Sequence, residues 1–137
     1  MRKQELLTKL NILDAFFEFS PKEDSKLWGW GGDSPILGAF VNELRPSVVV
    51  DVGSWMGLSA CNFAFNLKQQ SITDSVVICI DTWLGSLEHW TIPDLKQHLK
   101  LTNGYPNFYE DFLSNIKRAN LEDMIVPLPV PSSIGAE

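Results

Sequence analysis

Residues 48–60, VVVDVGSWMGLSA, place Asp51 near the end of an apolar run and follow it with two glycines, Gly53 and Gly57. A second apolar run, SVVICID, also ends in an acid, Asp81. A carboxylate at the end of a buried strand can accept hydrogen bonds from both hydroxyls of a ribose, and such charge-assisted bonds are stronger than neutral ones. A glycine turn that opens a helix brings backbone amides close to a ligand. Together the two stretches predict a nucleoside ligand, with its ribose on Asp81.

The spacing of Gly53 and Gly57 leaves Trp55 where a dinucleotide-binding turn carries its middle glycine, the residue that lets the backbone approach a pyrophosphate. A tryptophan there argues against NAD or FAD. S-adenosylmethionine has no phosphate; it needs a ribose acceptor, an apolar or stacking wall for adenine, and polar contacts for its amino-acid end. That ligand tolerates the tryptophan.

The elements that would position these residues read as follows. Leu6, Leu10, Leu13 and Phe17 recur at helical spacing and predict an amphipathic helix over 3–18. SPKEDSKLWGWGGD is a loop. Asp33 or Ser34 caps a helix that begins at Pro35 and stops at Pro46. The β-branched run 47–52 predicts a strand covered on both faces. Residues 58–69 are a helix, 75–81 a second strand, TWLGSLEHW a loop, 93–101 a short helix, 107–119 a helix and 124–130 a third strand. SSIGAE opens a further helix. Strands alternating with helices imply a parallel sheet. The fold class expected is α/β, a Rossmann-like three-layer α/β/α arrangement with parallel strands β1–β3, truncated to half of a doubly wound sheet.

VVVDVGSWMGLSA followed by VVICIDTWLGSLEHW resembles the class I S-adenosylmethionine-dependent methyltransferases, in particular the small-molecule and sugar O-methyltransferase branch that includes the macrocin-type enzymes. Asp51, Gly53 and Gly57 match the family's first motif and Asp81 its second-strand acid. Trp55 departs from the general form of that motif and agrees with the GSW-x-G variant of the branch. NFYEDFLSNIKRANLEDMIVPLPVPSS resembles the helix and third strand that follow. The resemblance covers about residues 25–137, with residues 1–24 as a helical extension. It implies a cofactor site of Asp51, Gly53, Ser54, Trp55, Gly57, Asp81, Thr82, Trp83 and Ser132. Asp51 would meet the amino-acid end of S-adenosylmethionine, and Ser132 or Ser133 would lie near the adenine edge. Nothing here matches the family's fourth strand with its acidic motif. The implied picture is therefore the cofactor half of a methyltransferase acting on a small-molecule acceptor, with no catalytic base or metal ligand assigned. The alternatives are a non-catalytic half-Rossmann module, degenerate or part of a split enzyme, and an NAD-binding half.

Several residues admit two readings. Trp55 either lines the methionine end of the site or packs under the preceding helix. Trp83 either stacks on adenine or packs against a helix. Trp28 and Trp30 either close over a ligand or, the favoured reading, pack against the sheet. His89 is expected in a surface or acceptor loop, His98 exposed, and Phe108, Tyr109 and Phe112 in the core.

The composition narrows the partners. The chain has 137 residues, 45% of them hydrophobic and 20% charged, with a net charge of −6; this suits one globular domain. Without a lysine or arginine cluster, nucleic acid is not an expected partner. No apolar run is long enough to span a bilayer, and the N-terminus lacks the apolar core of a signal peptide, so no membrane association and a cytoplasmic location are expected. Cys61 and Cys79 sit in apolar segments without CxxC spacing and read as buried thiols. In a sheet of three strands the run 48–52 would have an unpaired apolar edge, which predicts a homodimer or a partner chain covering it.

Overall fold

The computed structural model describes all residues, 1–137, and contains seven helices and three strands. In chain order they are α1 (Lys3–Leu10), α2 (Pro35–Leu44), β1 (Val48–Val52), α3 (Leu58–Gln69), β2 (Val76–Asp81), α4 (Leu87–Thr91), α5 (Pro93–Lys96), α6 (Phe108–Arg118), β3 (Ile125–Pro129) and α7 (Ser132–Gly135). The strands form one all-parallel sheet in the order β1-β2-β3, with Val48 opposite Val76 and Val77 opposite Ile125. This is the Rossmann-like α/β arrangement expected from the alternation of strand and helix.

Side chains alternate across the strands, so each strand feeds two cores. Val77, Cys79 and Ile125 face a core that contains Leu67 of α3 and Phe108, Phe112 and Ile116 of α6. Val76 and Val126 face the other way, under Leu6 and Leu7 of α1. β1 pairs only with β2 and is an outer strand. Its Val50 and Val52 are 56% and 60% exposed, so the strand is not covered on both faces as its β-branched run predicts: no helix lies over that side of it. Phe40, Leu44, Val48 and Phe63 line an apolar groove of about 290 Å³ beside it. Both cysteines are buried and free; burial pushes the Cys61 thiol up to about 12.

Three segments depart from the expected elements. The first helix stops at Leu10 rather than continuing to residue 18, because Asn11 takes the left-handed conformation, φ 52°, as its cap. Asn adopts that conformation at lower cost than most residues. Asp14 then accepts the backbone N–H of Phe16 and the ammonium of the buried Lys3, each through Oδ1, which fixes a turn where the apolar spacing alone would continue a helix. At the end of TWLGSLEHW, expected as a loop, the chain turns helical over Leu87–Thr91, started by a reciprocal Ser86–His89 cap. The helix expected over 93–101 is only Pro93–Lys96; farther on, Lys100 has φ 43°, and the carbonyl of Leu99 accepts the N–H of Asn107 instead of continuing a helix.

Candidate functional site

The two acids chosen from the sequence lie at the carboxyl ends of adjacent strands, and the glycine turn lies between them. Gly53 donates its N–H to the carbonyl of Ile80 at 2.8 Å, binding the turn to the end of β2. Asp81 then clips two loops together. Its Oδ2 accepts the N–H of Trp55 at 2.9 Å and its Oδ1 accepts the N–H of Trp83 at 2.8 Å. The indole Nε1–H of Trp83 donates to the carbonyl of Trp55 at 2.7 Å, closing the link. Trp55 and Trp83 have φ of 40° and 52°. That region is uncommon for bulky residues and costs about 1–3 kcal/mol. Here it aims both N–H groups at one carboxylate, which offsets the strain. Each carboxylate oxygen has capacity for a second hydrogen bond, so Asp81 can still accept donors from a ligand.

Asp51 is held differently. Both of its oxygens accept the hydroxyl of Ser59, at 3.0 and 2.9 Å, and its backbone carbonyl accepts the hydroxyl of Ser54. Burial pushes the Asp51 carboxyl above its usual range, and the nearby Asp81 charge adds to the shift. Ser59, in the first turn of α3, was not among the residues selected from sequence; a hydroxyl entering the helix after an acid and a glycine turn was the available signal. Gly57, with φ 92°, opens α3. A Cβ there would stand 3.1 Å from Phe112 and 3.2 Å from Ile116, so the glycine also lets the turn sit down on α6.

Asp81 borders two cavities. One, of about 270 Å³, opens beyond the carboxyl ends of the strands and is lined by Gly53, Ile80, Asp81, Thr82, Pro131 and Ser132 among others. Nothing lies within 4 Å of where a Cβ on Gly53 would project, so a ligand can approach that backbone closely. The other, of about 290 Å³, is lined by Trp30, Trp55, Asp81, Gly85, Ser86 and His89. The two cavities account for the tryptophan in the turn: its side chain borders the second and leaves the first clear. Trp55 packs against Trp28, His89 and Phe108, with ring centroids at 4.9, 5.2 and 5.9 Å.

The candidate residues therefore divide. Asp81, Gly53, Thr82 and Ser132 line one cavity together. Trp55 contributes its N–H to Asp81 and its ring to the neighbouring cavity. Ser54 is buried, with its hydroxyl turned to the backbone of Asp51. Asp51 and Gly57 hold the turn and the start of α3. Trp83 is 2% exposed and packs between Tyr109 and Phe112 at 4.9 Å from each, so of its two readings the packed one holds.

The histidines differ from expectation. His89 is buried, not a surface residue, because its ring packs on Trp55 and Phe108. The N–H of Ser86 donates to His89 Nδ1 at 3.2 Å. The hydroxyl of Ser86 lies closer still, 2.9 Å from the same nitrogen, so Ser86 holds the Nδ1 edge of the ring and Nε2 is the nitrogen left for other partners. Burial lowers the His89 pKa, the charge of His98 lowers it further, and Glu88 opposes both. His98 is partly covered rather than exposed, with its ring 5.5 Å from that of Trp28. Trp28 stacks on Trp30 and packs at a tilt against Trp55 instead of on the sheet, and Trp30 is left largely exposed at the mouth of the cavity it lines.

No helix is long and apolar enough to cross a membrane. No protein-family model matches the chain, and no curated protein shows significant similarity to it.

Proposed function

We propose that the chain binds the adenosine part of S-adenosylmethionine and acts as the cofactor-binding part of a methyltransferase that modifies an oxygen on a small molecule or sugar. The observation that carries this reading is the 2.9 Å bond between the Trp55 N–H and Asp81 Oδ2. It brings the end of the second strand and the glycine turn to one crevice, where α/β sheets take their ligands.

The residues fit the ligand. Asp81 retains lone pairs for the ribose hydroxyls, the space over Gly53 is open, and Ile80, Val130 and Pro131 supply apolar surface for a purine. No pyrophosphate has to be accommodated at Trp55. When bound, S-adenosylmethionine supplies an electrophilic methyl group on a sulfonium. The chain's part is to hold the ribose and orient the cofactor, which raises the rate of an in-line transfer through positioning. His89, its Nδ1 edge held by Ser86, lines the neighbouring cavity.

Calorimetry with S-adenosylhomocysteine tests the reading. The wild-type chain is expected to bind it, and Asp81→Ala to bind at least about tenfold more weakly, as loss of a charge-assisted contact requires. Because Asp81 also joins two loops, Val130→Trp serves as the second variant. It fills the cavity, leaves the bonds of Asp81 in place, and should also abolish binding. Absence of binding by the wild type, or equal affinities in all three proteins, overturns the proposal.

A further inference from the structure

A larger cavity, beneath the N-terminal loop, lies away from Asp81. It measures about 480 Å³, within the range of roughly 300–1,000 Å³ typical of small-molecule sites. Its lining includes Asp24, Lys26, Trp28, Met56, Lys100 and Asp111. Asp111, on the first turns of α6, is 2% exposed, and its carboxylate takes part in none of the chain's four ion pairs. Its oxygens accept no hydrogen bond from the chain and keep a trace of exposure. Asp111 is nonetheless among the residues that line the cavity. A buried carboxylate without a partner is costly, and one that borders a cavity is satisfied by whatever enters.

The wall of this cavity is fixed in place. Asn115 Nδ2 donates to the carbonyls of Lys26, at 3.0 Å, and Met56, at 2.9 Å. Arg118 donates to the carbonyls of Glu23 and Ser25, and the hydroxyl of Ser114 accepts the N–H of Lys22. Residues 22–26 are thus fastened along α6, and the space is preformed. Its charges are graded. Asp111 and the apolar Met56 are buried, whereas Lys26 and Lys100 are exposed and make no ion pair; the lining also holds the exposed Asp24 and the half-buried His98. Trp28 offers an aromatic surface beside them.

We propose that this cavity binds a small zwitterion, with its ammonium on Asp111 and its anionic end at Lys26 and Lys100. A buried acid beneath a rim on which two free lysines outnumber the one aspartate, Asp24, matches a molecule with charges at both ends better than it matches a simple cation or a simple anion. Trp28 covers the intervening methylenes. The site shares no lining residue with the two cavities at Asp81, so it stands or falls independently of the nucleoside reading.

The test uses γ-aminobutyrate, butylamine and butyrate as probes, titrated into the whole chain and followed by calorimetry and amide chemical shifts. γ-Aminobutyrate is expected to bind at least about tenfold more tightly than either one-charge probe, the size expected for a charged hydrogen bond. Asp111→Asn, nearly the same shape, should lose that tenfold. Lys100→Gln, an exposed change that leaves the fold intact, should reduce the preference for γ-aminobutyrate over butylamine. Binding of butyrate as tight as that of γ-aminobutyrate, unchanged affinity in Asp111→Asn, or no binding of any probe overturns the proposal.

Discussion

The two faces of the sheet are built from the same kind of residue and end in different states. On one, Val77, Cys79 and Ile125 are sealed beneath α3 and α6 in a cluster of 18 buried residues. On the other, Val76 and Val126 are covered by α1 in a cluster of four, and Val50 and Val52 at the outer strand are left open. Valine at a strand position thus says that the position can be buried, not that it is. What decides is whether a helix crosses above it, and α1 packs over Val76 of β2 and Val126 of β3.

The largest effect that would break this comparison comes from truncating its packed side. Phe112→Ala should cost about 3–5 kcal/mol of unfolding free energy, the usual range for a buried phenylalanine, whereas Val50→Ala should stay within about 0.5 kcal/mol, as for exposed positions. Urea denaturation of both variants measures the difference. Similar losses at the two positions would mean that both faces are equally covered in solution.

A smaller effect sharpens the comparison where the packed face meets the ligand crevice. Gly57→Ala must place a Cβ 3.1 Å from Phe112 while keeping φ near 92°, which should cost about 1–3 kcal/mol. Thermal melting should show the loss, and a melting temperature equal to that of the wild type would show that the turn does not press on α6.

The smallest effect concerns the buried acid beneath the N-terminal loop. Burial holds the Asp111 carboxyl above its ordinary value of 3.8, an effect that Lys100 and Lys22 partly oppose and Asp24 and Glu110 reinforce. Between the unfolded and folded values the folded state holds the proton more tightly, so this group lowers stability as pH rises through that window. Asn does not titrate. The melting temperature of Asp111→Asn minus that of the wild type should therefore grow from near zero below the ordinary value to a positive plateau above the raised one. A difference that stays flat with pH would place Asp111 in water.

Much of the framework was legible because it rests on local chemistry. The valine-rich run 48–52, Ser34 before Pro35, and the apolar positions Phe108, Phe112 and Ile116 each specify an element through pattern and cap. The errors fell where a distant contact overrode the pattern. Leu13 and Phe17 continue the helical spacing of α1, yet the bond from Lys3 to Asp14 turns the chain away and leaves both exposed. His89 looked like a loop residue because nothing nearby in sequence reveals that Trp55 and Phe108 will cover it. Nothing nearby in sequence marks Asp111 as buried; it is covered in the fold, where the loop before α2 is fastened along α6.

The amino-acid sequence by itself determined the order of helix and strand, the parallel sheet, and the choice of Asp51, Gly53, Gly57 and Asp81 as a group, because periodicity, glycine and the end of an apolar run act over a few residues. Only the tertiary structure decided which cavity the side chain of Trp55 borders, which N–H groups occupy Asp81, and that Asp111 lies buried without a partner. Those outcomes depend on residues far apart in the chain arriving at one place, and the orientation of a side chain at such a meeting is set by packing on every side of it.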